Sequence, residues 1–327
     1  MHNNKHLLTG KWIEAVPNFS EGREESVIQA ICAEIERNPD AYLLHKDMGY
    51  DANRTVITFV GKLEQMEEIC FNVIRRASQL IDMRQHTGTH PRQGAIDVFP
   101  LIAIGDTTTD EAIKLSYRLG ERIGQQLDIP VYLYEHSSNN PQRKKLEQIR
   151  KGEYEGFKEK ILQDEWKPDF GPQRYHEHSG NIILGARDFL LAYNINLKTK
   201  DVLMAKNIAA IIRESGSHGK PGKLKGVKAI GWWIETYGMC QVSTNITDFR
   251  RTSIFEVYDV IHAEAKEQGV ELFGSELIGL IPEEALKNDQ FSPEQAIKYL
   301  GLDALRPFNA IERILEWNIL RKIKKAR

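Results

Sequence analysis

Apolar and polar positions follow two different periods in the first half of the chain. Strand-like runs are predicted at residues 12–17, 41–47, 54–61 and 95–104. Apolar residues at helical spacing predict helices from Val27 to Ile35 and from Met66 to Ile81, with Asn38 and Pro39 ending the first. The predicted order is therefore β-α-β-β-α-β.

The same order recurs after residue 189. Strands are predicted at residues 190–196, 227–235, 239–245 and 270–280, and helices at 205–212 and 254–265. Each half thus has the pattern of a split βαβ motif. We predict an α+β fold of two ferredoxin-like subdomains, residues 1–187 and 188–327, with a ligand cleft where they meet.

The segments outside these two patterns are more irregular. Thr108 and Glu111 have capping-box spacing at the start of a helix that should end near Leu127, and residues 131–134 read as a short strand. Residues 135–180 are polar and interrupted by Gly and Pro, and two short helices are expected there. A last helix is predicted from Ala310 onward, with a basic end that suits the helix dipole.

Composition narrows the class of protein. The 327 residues carry 44 Lys and Arg against 46 Asp and Glu, a balance that favours neither nucleic acid nor anionic membranes as partners. The three cysteines are widely spaced, which fits reduced thiols rather than disulfides. The first residues lack the apolar run of a signal peptide, and no membrane-spanning run follows. A cytoplasmic protein is expected.

The segment at residues 86–97, HTGTHPRQGAID, concentrates chemistry between a helix and a buried strand. Its Gly and Pro residues favour an irregular backbone in which side chains are aimed rather than packed. Three interpretations stay open. His86 and His90 could be solvent-facing loop residues. They could bind a metal with Asp97, although a helix that would suit their spacing is not expected. Alternatively, one of them could be a general base.

Three further segments could carry function. At residues 17–23, Asn18 or Ser20 is expected to cap a helix, while an anion site with Arg23 is the alternative. Asp47 is placed at a strand end before a turn, where catalytic carboxylates are often mounted.

Residues 168–180 combine His and aromatic residues in a loop, which argues against simple disorder. Arg187 follows and could grip a carboxylate.

Motifs along almost the whole chain resemble the formiminotransferase domain family. They include VPNFSEGR at 16–23, NRTV at 53–56, TFVG at 58–61, HPRQGAIDV at 90–98 and PDFGP at 168–172. The similarity continues at residues 131–134, 149–155, 185–187, 193–197, 231–232, 241–245 and 274–280. In order, these motifs run from about Trp12 to Trp317.

The resemblance implies a fold, a reaction and a set of residues. The family has two ferredoxin-like subdomains with a folate tunnel between them, and it transfers a formimidoyl group from N-formimidoyl-glutamate to N5 of tetrahydrofolate in histidine degradation. The position of its catalytic histidine is His90, and that of its supporting aspartate is Asp47. Its folate-binding stretch falls on Gly171, Pro172, Gln173, Arg174, Tyr175, His176, Glu177, His178, Ser179 and Gly180.

Planar donors for folate and glutamate carboxylates are expected at Arg54, Arg92 and Arg187. Tetrahydrofolate is the expected co-substrate, no metal is expected, and the resemblance implies a homodimer. A form without the relatives' cyclodeaminase domain is expected. Gln93 stands where relatives usually have an apolar residue. Transfer of a formyl group, folate binding without catalysis and, more remotely, metal-dependent hydrolysis remain the alternatives.

Overall fold

A computed structural model describes residues 8–217 and 219–326 of the chain. The chain divides into two compact units, of which the first ends at Arg187 and the second begins at Asp188. Each unit has its own sheet and its own helices, which confirms the predicted mixed α+β class. Residues 1–7, on which the signal-peptide expectation rests, lie outside the described part. Within that part, no helix is long and apolar enough to cross a membrane.

The first unit contains seven strands and five α-helices in its described residues. The strands are β1 (Lys11–Ala15), β2 (Asn18–Phe19), β3 (Ala41–Gly49), β4 (Arg54–Lys62), β5 (Ile96–Gly105), β6 (Val131–Leu133) and β7 (Ile182–Ala186). The helices are α1 (Glu25–Glu36), α2 (Leu63–Leu80), α3 (Thr109–Gln126), α4 (Leu146–Arg150) and α5 (Glu153–Lys160). Every predicted element of this half is present, whereas β2 and β7 were not predicted.

The strand order of this sheet follows from how β1 and β2 share partners. Both pair antiparallel with β4 on one side and β5 on the other, so they act as successive parts of one strand. Strand β3 pairs with the outer side of β4. On the other edge, β7 joins β5 in parallel and β6 joins β7 in parallel. The short β7 therefore joins β6 to β5 and so to the rest of the sheet.

The two faces of the sheet are covered differently. One face packs on α1, α2 and α3 through a large apolar core that includes Ile28, Ile74 and Leu115. The opposite face has a smaller apolar cluster over β5, β6 and β7, to which α5 contributes Phe157. Beside this cluster, on the face opposite α1, α2 and α3, the strands β2, β3 and β4 carry polar residues. We call this part of the sheet the polar face.

Helix starts show one correct and one wrong prediction. Thr108 and Glu111 form the predicted capping box at the start of α3. The expected cap of α1 by Asn18 or Ser20 is wrong. The Glu21 carboxylate instead accepts hydrogen bonds from the backbone N–H groups of Arg23 and Glu24, at 2.8 and 2.9 Å. The amides of the alternative anion site are thereby occupied by a side chain of the loop itself.

The second unit repeats the predicted order. Its strands are β8 (Leu191–Leu197), β9 (Val227–Ile234), β10 (Met239–Ile246) and β11 (Leu272–Ile278). Its helices are α6 (Val202–Ile212), α7 (Ile254–Glu267), α8 (Pro293–Tyr299), α9 (Ala310–Arg313) and α10 (Leu315–Ala326). The sheet is antiparallel, in the order β11-β8-β10-β9.

The C-terminal helix differs from its prediction. A continuous helix was expected from Ala310, but Ile314 interrupts it by forming an isolated parallel bridge with Ile281. Backbone hydrogen bonds from Ile281 to Arg313 and from Leu315 to Ile281, each 3.0 Å, hold this bridge. Ile314 is fully buried in the core of the second unit. Burial of that side chain against the core favours the break over a regular helix.

Candidate active site

A row of neighbouring residues crosses the polar face of the first sheet. Asp47 lies opposite Val56, Val56 lies opposite Asn18, and Asn18 lies opposite Val98. Side chains on a strand alternate between faces, so Arg54 is on the same face as Val56. The Asn18 side-chain oxygen accepts hydrogen bonds from Arg54 Nε and Nη2, at 3.2 and 2.9 Å. The sheet thus brings predicted site residues from β3 and β4 to one face.

A β-bulge in β5 places Asp97 at this face. Asn18 pairs with Val98 and Phe19 with Ile96, so Asp97 is an extra residue between two aligned pairs. Bulges redirect side chains and are frequent beside active sites. The Asp97 side chain is fully buried, and its Oδ1 accepts the backbone N–H of Gln93 at 2.8 Å.

Two guanidinium groups converge on the other oxygen of this carboxylate. Arg54 Nη1 and Arg150 Nη2 each lie 2.6 Å from Asp97 Oδ2. Burial alone would raise the pKa of Asp97, but the charges of Arg150 and Arg54 outweigh it and lower that pKa to about 2. We call these three residues the Arg54–Asp97–Arg150 centre. Two cations sharing one anion leave it with a surplus positive charge.

His90 is half-buried beside this centre. Its Nδ1 donates a hydrogen bond to the Pro91 carbonyl at 2.6 Å, which leaves the lone pair on Nε2. Burial, followed by the charges of Arg54 and Arg150, lowers the pKa of His90 to about 3. The imidazole is therefore neutral at physiological pH and can accept a proton.

The loop that carries His90 is fixed to the β3–β4 turn. Thr89 N–H donates to the Asp51 carbonyl at 3.2 Å, and the Asn53 side chain donates to the Thr87 carbonyl at 2.9 Å. Gly88 is required by this contact, because a Cβ there would lie 2.3 Å from the Ala52 carbonyl oxygen. The aimed loop expected from the sequence is therefore present.

His86 occupies a different environment from His90. Its Nε2 donates to the Asn53 carbonyl at 2.8 Å, and its Nδ1 accepts from Arg92 Nε at 3.2 Å. A guanidinium on one nitrogen and a carbonyl on the other leave no lone pair for a metal. The ligand set His86, His90 and Asp97 is therefore not assembled, and the described residues contain no group of three or more metal-ligating side chains.

Arg92 binds acidic side chains rather than the residues around His90. Its guanidinium contacts Glu155 at 2.6 and 2.9 Å, and Glu153 at 3.5 Å. Its Nη2 also donates to the His86 carbonyl at 3.2 Å. We call Arg92, Glu153 and Glu155 the Arg92 cluster. It lies beyond His86, and the two carboxylates more than balance its one positive charge.

Asp47 is a residue of β3, not of the turn that follows it. The strand continues to Gly49, so the expected strand-end position is shifted by two residues. Asp47 Oδ2 lies 3.7 Å from His45 Nε2 on the same face. The row described above sets Asp47 two strands from Asn18, which corresponds to about 10 Å across the sheet.

Arg187 lies at the end of the first unit beside Tyr134. Its backbone N–H donates to the Leu101 carbonyl at 3.1 Å, and its guanidinium hydrogen-bonds the Tyr134 hydroxyl. Burial raises the pKa of Tyr134 to about 12, against the opposing charges of Arg187 and Arg150. The Arg187 guanidinium thus lies beside a buried tyrosine hydroxyl.

The predicted folate-binding stretch, residues 171–180, is a loop that ends beside the His90 segment. Tyr175 hydroxyl donates to the Tyr154 carbonyl at 3.2 Å, and Arg174 pairs with Asp128. Gly180 forms an antiparallel bridge with Gly94. A Cβ at Gly94 would lie 2.4 Å from the Asn181 carbonyl oxygen, so only glycine allows this approach.

Comparison with known proteins identifies the family. Residues 12–187 match the family described as "Formiminotransferase domain, N-terminal subdomain", and residues 192–320 match "Formiminotransferase domain". The chain belongs to the formiminotransferase family. The family resemblance predicted from the sequence motifs is thereby confirmed.

Relatives of this formiminotransferase-family chain fall into two groups by length. It is 44% identical over 322 residues to "Formimidoyltransferase-cyclodeaminase" of Rattus norvegicus, covering 93% of this chain and 59% of that protein. It is 41% identical to "Glutamate formimidoyltransferase" of Streptococcus pyogenes, covering 84% of this chain and 91% of that protein. For the protein of that name from Thermoplasma acidophilum, identity is 39%, with 93% and 97% covered.

Sequence reasoning missed one residue at the centre of this formiminotransferase-family site. Arg150 was part of the family-like motif at residues 149–155, but it received no role. It lies in a basic stretch with Lys144, Lys145 and Lys151. Such a stretch normally indicates a solvated surface. Its signal is tertiary: the end of α4 approaches the bulge that carries Asp97. Asp97 itself was considered only as a metal ligand.

Proposed function

We propose that this protein is a glutamate formimidoyltransferase, which moves a formimidoyl group from N-formimidoyl-L-glutamate to N5 of tetrahydrofolate in histidine degradation. Two relatives with that printed name are 39% and 41% identical to it and are covered over most of their length. Tetrahydrofolate acts as co-substrate, the compartment is the cytoplasm, and the active form is a homodimer.

The observation that carries the proposal is a neutral, tautomer-fixed His90 beside a positively charged centre. His90 Nε2 accepts the proton that N5 of tetrahydrofolate loses as its nitrogen bonds to the amidine carbon. When the bond between that carbon and the glutamate nitrogen breaks, His90 returns the proton to the departing amine. Such proton transfer contributes about 10²–10⁴-fold to a rate.

The surplus charge of the Arg54–Asp97–Arg150 centre suits an anionic donor. Glutamate carries carboxylates, and guanidinium groups bind carboxylates with charge-assisted, often bidentate hydrogen bonds. An added carboxylate would also offset the two cations that lower the pKa of His90. Donor binding would therefore raise that pKa and make His90 a stronger base at the moment of transfer.

The other predicted site residues also have roles in this proposal. Asp47 stabilises the cationic amidinium centre from the neighbouring strand, or helps to orient His90. Arg54 is the guanidinium for the donor carboxylate, and Arg187 serves a second carboxylate. Arg92 would need to exchange Glu155 for a substrate carboxylate, so its contribution to binding should be smaller.

The folate site and the finer fold belong to the same proposal. Residues 171–180 contact folate from the loop that borders His90. Both units are ferredoxin-like subdomains, divided between residues 187 and 188, and support comes from their strand orders. If the strands of the second unit are numbered along the chain from one to four, their order across the sheet is 4-1-3-2. The first unit has the same order in β5, β1 with β2, β4 and β3, when β1 and β2 are counted as one strand. The folate tunnel stays a prediction.

The donor is tested by incubating purified protein with tetrahydrofolate and either N-formimidoyl-L-glutamate or N-formyl-L-glutamate. Mass spectrometry of the folate product should detect the formimidoyl group and steady turnover of the first donor. Turnover of the formyl donor alone would establish the alternative transferase. If neither donor reacts while folate binds, the protein would be a folate-binding protein and the proposal would be wrong.

A further inference from the structure

Lys160, the last residue of α5, makes an unusual set of contacts at the end of α4, the helix that carries Arg150. Its Nζ donates hydrogen bonds to the carbonyls of Gln148, Ile149 and Lys151, at 3.2, 2.8 and 2.9 Å. The ammonium also lies 3.6 Å from the centre of the Trp166 ring. All three of its donors are thus used inside the protein, whereas lysine ammonium groups usually remain in water.

These carbonyls belong to residues on both sides of Arg150 in the sequence. Arg150 is the last residue of α4, a helix that is only five residues long. So short a helix gains little stability from its own hydrogen bonds. At its C-terminus the chain leaves the helical conformation at Lys151, with φ −56° and ψ 123°, and Gly152 follows with φ 92°. A cation at helix-end carbonyls supplies both the missing donors and a favourable interaction with the dipole.

Arg150 depends on this backbone for its reach to Asp97. The segment is also held from its other side, where Tyr154 N–H donates to the Arg92 carbonyl at 3.0 Å. Between the two attachments, the Arg150 guanidinium lies 2.6 Å from Asp97. A displaced carbonyl cluster would move the guanidinium that acts on both Asp97 and His90.

We propose that Lys160 is a positioning residue of the His90 site, which holds the end of α4 so that Arg150 stays on Asp97. This rests on the proposed function only in so far as His90 is the catalytic base. Lys160 itself contacts no reacting group.

The protonation of Lys160 gives the device a pH limit. Burial, and after it the charge of Lys151, lower the pKa of Lys160 to about 8. The groups facing it are Lys151, the three carbonyls and the Trp166 ring. Above that pH, the neutral amine would bind the carbonyls more weakly than the ammonium does. Arg150 should then be held less tightly.

The test compares Lys160→Met with Lys158→Met, a control on an exposed residue of the same helix. NMR titration of the His90 imidazole, assigned by its loss in His90→Gln, measures whether Arg150 still acts on it. We expect Lys160→Met and Arg150→Met to raise the pKa of His90 by about one unit, because a lowering charge moves away. Lys158→Met should leave it unchanged. An unchanged His90 pKa in folded Lys160→Met would overturn the proposal.

A second measurement covers the case in which Lys160→Met does not fold. In the wild type, kcat/KM on the formimidoyl donor should fall as Lys160 deprotonates around pH 8. Lys160→Arg stays charged and should lose this alkaline fall. The same fall in both proteins would contradict the proposal. If the NMR shifts appear but neither glutamate donor reacts, the positioning role stands and the proposed function fails.

Discussion

The short segment from His90 to Asp97 contributes to two arginine clusters, one through Asp97 and the other through Arg92, and the two differ in their charge. In the Arg54–Asp97–Arg150 centre, two guanidinium groups share one fully buried carboxylate. In the Arg92 cluster, one guanidinium is held by two carboxylates that are 42% and 64% exposed. Positive charge is thus in surplus beside His90 and is cancelled near the surface. The same residue type thus forms a cationic centre in one place and a neutralised surface contact in the other.

Removal of each cluster's carboxylate should give the largest contrast. Asp97→Asn leaves two guanidinium groups close together without their shared counter-ion, and loss of one partner of a buried ion pair costs about 3–5 kcal/mol. Glu155→Gln removes an exposed partner, for which about 0–1 kcal/mol is expected. Urea unfolding at neutral pH measures both. Equal losses would mean that the two clusters do not differ as described.

The arginines themselves should separate in catalysis. Arg54→Met is expected to reduce kcat/KM on the formimidoyl donor by about 10–100-fold, because hydrogen bonds to charged groups contribute about 1.5–3 kcal/mol. Arg92→Met should reduce it by less than about 10-fold, since Glu153 and Glu155 already occupy its donors. Melting temperatures of both variants serve as the folding control. A larger loss for Arg92→Met would reverse the assignment.

The surplus charge should also appear in the pH dependence of stability. The pKa of His90 is lowered from 6.5 to about 3 in the folded protein, so the unfolded chain binds the proton more readily between those values. The contribution of His90 to the free energy of unfolding is therefore fully present above pH 6.5 and is lost as pH falls toward 3. On acidification from neutrality to about pH 5, the wild type should lose about 1–2 kcal/mol more than His90→Gln.

Urea unfolding at the two pH values measures the loss in each protein. Subtracting the loss in His90→Gln from the loss in the wild type cancels the contributions of His86 and His176, which both proteins share. Both of these histidines have lowered pKa values and would act in the same direction. Parallel pH dependences in the wild type and His90→Gln would contradict the charge assignment.

Gln93, between the two clusters, should give the smallest effect. The bridge from Gly94 to Gly180 sets Gln93 opposite Asn181, and both side chains are fully buried. Neither amide group has a hydrogen-bond partner within residues 8–217 and 219–326. Gln93→Met should therefore stabilise the protein by about 1 kcal/mol in thermal unfolding. Destabilisation would show that the two amides pair with each other in solution, and Asn181→Leu is the reciprocal control.

Much of the fold could be predicted because its signals are local. The helix α2 and the strands β4 and β10 follow apolar periods that survive without tertiary information. Strand β7 was missed because Ile182–Ala186 is short and follows a polar loop. It is stabilised by parallel pairing with β5 and β6, partners far away in the sequence.

The residues of the candidate site also differ in whether a local sequence signal predicts them. His90 could be recognised as a histidine on an irregular loop, and family-like motifs decided between its possible roles. Arg150 and the bulge at Asp97 could not be inferred, because one depends on a long-range ion pair and the other on a register shift. Asp47 was expected at a strand end and lies within β3 instead.

The central claim is that His90 is the proton acceptor of formimidoyl transfer. Single-turnover rates with saturating tetrahydrofolate and N-formimidoyl-L-glutamate test it directly when His90→Ala and the wild type are compared, with tetrahydrofolate binding measured by fluorescence in both. The rate should fall by about 10²–10⁴-fold while folate affinity is retained. A variant that binds folate and transfers the group at the wild-type rate would contradict the account.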